Sequence, residues 1–393
     1  MMRVTLGFSF VVGCVTPPTP NSEIACDVAF VDHPAAEALQ AELDGVVAKG
    51  IPGLSLAVRT PDGLWAGAAG MADIEHDVPM NPCHVHPWAS VGKTWTALLL
   101  LRLVDAGELG LDDRIAELLA PEVLEGLANI DQVTVRQLLN HSSGLKDFNE
   151  DLGYLTWEFD NPSGDDPPEQ MIDFVRGDPA FFDPGEGYHY TDTSYVLAAM
   201  AIETLTGDRN AAMAQEVFGP LELVQTELPL SGGADPAGRV NAYWELPGGQ
   251  LENVSELQAS YDAQVIGAGN LRSTPLESLR FAEAVAQGTL LSSGLADAMI
   301  EWNPDSQRED DEQAYAYGLG LQRRVVTIAG EPTTWVGHYG GDIGASAVIL
   351  ARPDAPIGIA AGVNLGGFLG GPLNAHVGDD FIDRVLELAS GEP

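Results

Sequence analysis

Ser90-Val91-Gly92-Lys93-Thr94-Trp95-Thr96-Ala97-Leu98-Leu99-Leu100-Leu101-Arg102-Leu103-Val104-Asp105-Ala106-Gly107 is the stretch whose reading orders the rest of the chain. Residues 94–106 are apolar nearly all round, the pattern of a helix buried in a core, and Gly107 ends it. Ser90 and Lys93 stand three apart at the head of that helix. Residues i and i+3 share a helix face, so a serine oxygen and a lysine nitrogen can meet there. The positive end of the helix dipole favours the alkoxide of a serine at a helix start. A lysine partly buried beside it has its pKa lowered and can take the serine proton. Ser90 is therefore the candidate nucleophile of an acyl-enzyme, with Lys93 as its partner.

Two other serines compete. Ser143-Gly144-Leu145-Lys146 repeats the spacing, but it runs into polar Asp147-Phe148-Asn149-Glu150 with no core helix behind it. It reads as a turn at Gly144, without the rigid support a nucleophile needs. Gly53-Leu54-Ser55-Leu56-Ala57 approaches a Gly-x-Ser-x-Gly elbow, which needs a strand, a sharp turn and then a helix. Here Val58-Arg59-Thr60 continues the strand into a hairpin, so Ser55 is set aside.

Outward from the buried helix, residues 35–48 have helical spacing. Residues 53–59 and 64–72 read as two strands joined through Pro61-Asp62-Gly63. Residues 112–261 change character, with helical pieces at 135–140, 169–176 and 194–205 separated by Pro- and Gly-rich loops. Strand patterns return at 317–328, 345–350 and 357–363, and 381–388 closes the chain as a helix. Hairpins favour an antiparallel sheet. The expectation is an α+β fold, an antiparallel sheet flanked by helices with a mostly helical second domain. Residues 35–111 and 262–393 would form the first domain from both chain ends, and 112–261 the inserted one.

The 393 residues carry 58 acidic side chains against 18 Lys plus Arg, a formal net charge of −40, and the lysines are Lys49, Lys93 and Lys146 alone. Such a chain repels nucleic-acid phosphates and anionic membranes. It fits either a protein kept soluble in salt, where screening removes self-repulsion, or an acidic secreted protein. Residues 1–34 read as an export signal and linker. Arg3 precedes an apolar run at 4–12 that is too short to span a bilayer, and Val11-Val12-Gly13-Cys14 resembles a lipobox whose cysteine is lipidated. A frayed or mis-started N-terminus is the alternative. The expected location is exported: periplasmic, cell-envelope lipoprotein or secreted, with membrane attachment only through a lipid at Cys14. Cys26 and Cys83 remain, and an oxidising compartment would let them pair or leave them as separate thiols.

Pro87-Trp88-Ala89-Ser90-Val91-Gly92-Lys93, with Leu103-Val104-Asp105-Ala106-Gly107-Glu108-Leu109 after it, resembles the serine β-lactamase and penicillin-binding protein family. The likeness is to its class C-like branch of class C β-lactamases, D-alanyl-D-alanine carboxypeptidases and family VIII-type esterases. Leu138-Leu139-Asn140-His141-Ser142-Ser143-Gly144-Leu145, Tyr190-Thr191-Asp192 and Gly337-His338-Tyr339-Gly340-Gly341 resemble further segments of that branch, in order. The resemblance implies a serine hydrolase acting on an ester or amide of a small molecule or peptide, with no cofactor and no metal. It implies that Ser90 attacks and that Lys93 and Tyr190 share the base work, the tyrosine's pKa lowered by the lysine. Asp192, where the family often has Asn, would hold Lys93, and His338 would line the opposite wall on an edge strand. The N–H groups of Ser90 and Gly341 would form the oxyanion hole, and Gly340 would let the strand approach. Tyr339 stands where carboxylate-binding members have Thr or Ser, which points toward an esterase.

Two rivals are weighed. Glu75-His76-Asp77 and Cys83-His84-Val85-His86 could seed a zinc-dependent hydrolase, but no second ligand group has matching spacing. A non-turnover penicillin-binding or sensor module on the same fold would usually lack the serine, lysine or tyrosine. The salt reading predicts a melting temperature that rises steeply with KCl, and a flat response would contradict it. Lipidation predicts a protein that pellets with membranes and a Cys14→Ser form that does not; a soluble wild type would remove it.

Overall fold

The computed structural model describes Cys26 and residues 33–161, 167–229, 237–307, 315–367 and 370–391. Cys14 and the lipobox-like stretch lie outside the described residues. An eight-stranded antiparallel sheet forms the centre. Its strands are β1 (Gly53–Thr60), β2 (Gly63–Asp73), β3 (Val78–Pro79), β4 (Tyr315–Tyr317), β5 (Gln322–Ile328), β6 (Glu331–Gly341), β7 (Ser346–Ala351) and β8 (Gly358–Val363), in the spatial order β3-β2-β1-β8-β7-β6-β5-β4. Every neighbouring pair is antiparallel. The fold is the expected antiparallel sheet flanked by helices.

Side-chain alternation along β1 shows how the faces are covered. Leu54, Leu56 and Val58 pack into one apolar cluster with α1 (Ala36–Val47) and the C-terminal helix Asp379–Ala389. Ala57 faces the other cluster, which holds α2 (Gly92–Asp105), α3 (Asp192–Thr206) and α4 (Pro275–Ala286). In α2 every residue from Gly92 to Leu101 is buried, so the expected core helix is present two residues longer at its start. Trp95 stacks on Phe281 of α4 with ring centroids 3.5 Å apart. Thr94 and Thr96 donate to the carbonyls of Gly320 and Gly267. These bonds fix the height of α2 against two loops.

Two local expectations change and one open alternative is settled. The strand expected at 317–328 is a hairpin of β4 and β5, because Gly320, with φ +69°, turns the chain against α2, where a Cβ would meet the Ala97 methyl at 2.3 Å. Strand β6 is an interior strand between β5 and β7, not an edge. Its partner β5 ends at the Gly337–Gln322 pair, so only the stretch from His338 onward is open on that side. The tight β5–β6 turn at Ala329-Gly330 has positive φ at both residues, the backbone twist that suits a two-residue hairpin. Third, Cys26 and Cys83 are joined, closing a separation of 57 residues that includes α1, β1 and β2. Chain-entropy reasoning gives such a closure about 4 kcal/mol of stabilisation at most.

The open end of β6 lies against the turn that carries Ser90. A Cβ built on Gly340 would come within 2.6 Å of the Trp88 carbonyl oxygen and 3.1 Å of the Ser90 nitrogen. Both are backbone atoms, which cannot swing aside. Gly340→Ala is therefore expected to cost about 1–3 kcal/mol in a denaturant titration, and unchanged stability would contradict this packing.

Candidate active site

Ser90 sits in a 3-10 turn, Ala89–Val91, that runs straight into α2. Ala89 before it takes a left-handed φ of +47°, a strained setting for a non-glycine residue. Lys93 is fully buried one turn on. Its ammonium has three protons to place, and three acceptors surround it: Ser90 Oγ at 3.0 Å, the Ala268 carbonyl at 2.9 Å and Asp192 Oδ1 at 2.6 Å. The i, i+3 reasoning thus brings Ser90 and Lys93 together.

Asp192 opens α3, where an aspartate could have served as a helix cap. No side-chain cap bond is made there. Its carboxylate instead holds Lys93 with one oxygen and accepts from the Asn149 amide, at 2.8 Å, with the other. Tyr190 hydrogen-bonds Ser90, but the expected lowering of its pKa is reversed. Burial and the nearby Asp192 charge push the phenol well above its usual range, outweighing the bond from Ser90. The lysine charge that was expected to stabilise a tyrosinate is neutralised by Asp192, so Tyr190 rests as a phenol.

His338 departs from its expected place. It is fully buried and lies outside the cavity lining, beneath the Tyr190 ring at 6.3 Å between centroids. Its Nδ1 lies 2.5 Å from the Tyr339 carbonyl oxygen, which can only accept, so Nδ1 carries a proton. Burial, with Lys93 nearby, lowers the pKa to about 3, so the ring is neutral and its Nε2 accepts from the Tyr317 hydroxyl, 3.0 Å away. Tyr339 departs further. Strand alternation sends its side chain to the opposite face of the sheet from Gly340, where its hydroxyl accepts from Arg324 and its ring packs into the α1 cluster. Its bulk never enters the site, so the inference from Tyr339 toward an esterase loses its basis. Gly341 lines the same cavity as Ser90.

That cavity, of about 500 Å³, is walled by Ser90, Tyr190, Asp192 and Gly341 together with Asp147, Asn149, Glu150, Tyr188, His189, Tyr261 and Asp342. The second group was not expected from the sequence. Its members lie in loops and helix ends scattered from 147 to 342, where no periodicity marks them. Asp147-Phe148-Asn149-Glu150 had been read only as the polar tail of the rejected Ser143 motif. The Asp147 carboxyl is pushed up to about 8 by burial and by the Asp192 charge, and Asp342 is raised well above its usual range by burial, then by Asp262 and Asp192. Glu150 at the mouth pairs with His189 at 3.3 Å.

The rejected serines have structural partners. Ser143 is buried and shares a hydrogen bond with Ser194, while Ser55 is bonded to His86 Nε2 at 2.6 Å. Three of the proposed zinc ligands are likewise spoken for: Cys83 is in the disulfide, His86 holds Ser55 and His76 pairs with Asp73.

A D-stereospecific amidohydrolase from Streptomyces sp. superposes with a TM-score of 0.76 at 27% identity, covering 88% of this chain and 98% of that one. The D-amino acid amidase from Ochrobactrum anthropi SV3, complexed with L-phenylalanine amide, superposes with a TM-score of 0.72 at 25% identity, covering 90% of this chain and 98% of that one. Among curated relatives, a penicillin-binding protein of Bacillus subtilis (strain 168) is 26% identical over 319 residues, 77% of this chain. The match spans 65% of that relative's own length. The family description Beta-lactamase matches residues 35–376, from the head of α1 past the strand that brings Gly340 to Ser90, and the chain belongs to that family.

Proposed function

We propose that the chain is a serine hydrolase that cleaves an amide or ester through an acyl-enzyme on Ser90. The observation that carries this reading is the threefold contact of Lys93 with Ser90, Asp192 and Ala268. As an ammonium, Lys93 has no lone pair to offer Ser90. It gains one by passing a proton across 2.6 Å to Asp192, a transfer that changes no net charge inside the buried site. The amine then takes the Ser90 proton as the oxygen bonds to the carbonyl carbon and the carbonyl electrons move onto its oxygen. The N–H groups of Ser90 and Gly341 are the proposed donors to that oxyanion. When the intermediate collapses, the bond to the leaving group breaks, and that group takes the Tyr190 phenol proton. Lys93 returns the proton to Tyr190, and Asp192 returns its own to Lys93. A water repeats the sequence on the acyl carbon and frees Ser90.

The wall carries Glu150, and its Asp147 and Asp342 carboxyls, raised by burial and by neighbouring carboxylates, would ionise against an entering cation, which supports a substrate with an ammonium near the scissile carbonyl. Amino-acid amides and esters have that form, and the two similar solved structures are described as an amidohydrolase and an amidase. The reading includes export, which the Cys26–Cys83 bond supports because such bonds persist in oxidising compartments.

Turnover of D-phenylalanine amide and a short-chain p-nitrophenyl ester is expected to fall at least about 10³-fold in Ser90→Ala; activity that survives the change contradicts the reading. Asp192→Asn removes the acceptor for the lysine proton. Its kcat is expected to fall roughly 10²-fold at pH 7. An unchanged kcat at pH 7 would remove Asp192 from the proton path.

A further inference from the structure

His141 lies outside the cavity lining and takes no part in the chemistry above, yet it grips the segment that delivers Tyr190 on both sides. Its backbone carbonyl accepts from His189 N–H at 3.0 Å, and its ring Nδ1 accepts from Thr191 N–H at 3.1 Å. The two donors flank Tyr190 in the chain. Between them the imidazole lies against the Tyr190 ring, 4.3 Å between centroids and tilted 37°. The histidine reaches this position with a left-handed backbone, φ +59°, a conformation that a bulky side chain adopts at a cost. It is fully buried.

The hydrogen-bond pattern also fixes the ring's form. Since Nδ1 accepts from a peptide N–H, it must keep its lone pair, and the neutral ring carries its proton on Nε2. Nε2 has no hydrogen-bond partner among the described residues, and the rings of Tyr188, Tyr190, Tyr195 and Tyr317 lie 4.3–6.0 Å from the imidazole. Burial, reinforced by Lys93, holds the pKa well below the usual histidine range, which keeps the accepting form. A buried polar atom left without a partner and a strained backbone are both costs, and both are met at one residue that touches Tyr190.

We propose that His141 is a positioning residue for Tyr190: its Nδ1 lone pair and left-handed backbone together set the phenol against Ser90. The inference rests on the reading that Tyr190 moves protons at Ser90. A displacement of about 1 Å in such a group can lower the rate 10²-fold.

Two substitutions separate the acceptor from the backbone. Asparagine tolerates left-handed φ and places its amide oxygen near the position of Nδ1. Glycine tolerates the backbone and has no acceptor. The expected result is that His141→Asn keeps kcat within about 3-fold of wild type, while His141→Gly loses roughly 30- to 100-fold in kcat with little change in KM. Equal effects of the two, or a loss carried by KM, would overturn the proposal. In a Tyr190→Phe background, His141→Gly is expected to add less than about 2-fold, and a full additional loss would overturn it. Should either variant not fold, amide hydrogen exchange in the wild type gives the reading: Thr191 N–H is expected to be protected, and exchange at the rate of an exposed loop would overturn the clamp. Wild-type turnover that does not need Ser90 would defeat the functional reading and this inference together. Ser90-dependent turnover with identical Asn and Gly variants would defeat this inference alone.

Discussion

The buried ion pair between Lys93 and Asp192 is the constraint on which the site depends. It joins the first turn of α2 to the first turn of α3, and both helices are buried along most of their length. Taking two charges out of water costs several kcal/mol per ion, and a close pair repays that only when the remaining hydrogen-bonding capacity is also met. Here it is met. Lys93 spends its other protons on Ser90 and Ala268, and Asp192 spends its second oxygen on Asn149. Removing either charge would strand the other, so the two helices and the serine are held at one spacing. The same pairing explains why Tyr190 rests as a phenol. The lysine's field is cancelled, and what the tyrosine feels is burial and a carboxylate.

A second constraint is the absence of a side chain at residue 340. The sheet and α2 approach until backbone meets backbone, with Gly340 against Trp88 and Ser90. That contact carries Gly341 to the same cavity as the serine. It also decides the fate of its neighbours, because alternation along β6 sends Tyr339 to the far face and leaves His338 beneath Tyr190.

Much of this was legible in the sequence. An all-round apolar helix after a Ser-x-x-Lys spacing pointed to the candidate nucleophile, and hairpin turns located most of the sheet. Tyr190 and Asp192 came from resemblance, since a tyrosine and an aspartate at a helix start have ordinary structural roles. The misplacement of Tyr339 had a readable signal. Once Gly340 is taken to face Ser90, strand alternation alone excludes Tyr339 from the site. Asp147, Glu150 and Asp342 had no such signal, because they converge through loops whose paths depend on tertiary packing. The pKa of Tyr190 was misjudged for a related reason. A residue's charge environment is set by which neighbour neutralises which, and the sequence names the groups without giving those distances.

The most direct test of the central claim is intact-mass measurement of protein quenched during turnover of a short-chain p-nitrophenyl ester, followed by peptide mapping. The account predicts a transient acyl adduct on the peptide containing Ser90, absent in Ser90→Ala. No adduct during turnover, or an adduct that survives the substitution, would contradict it.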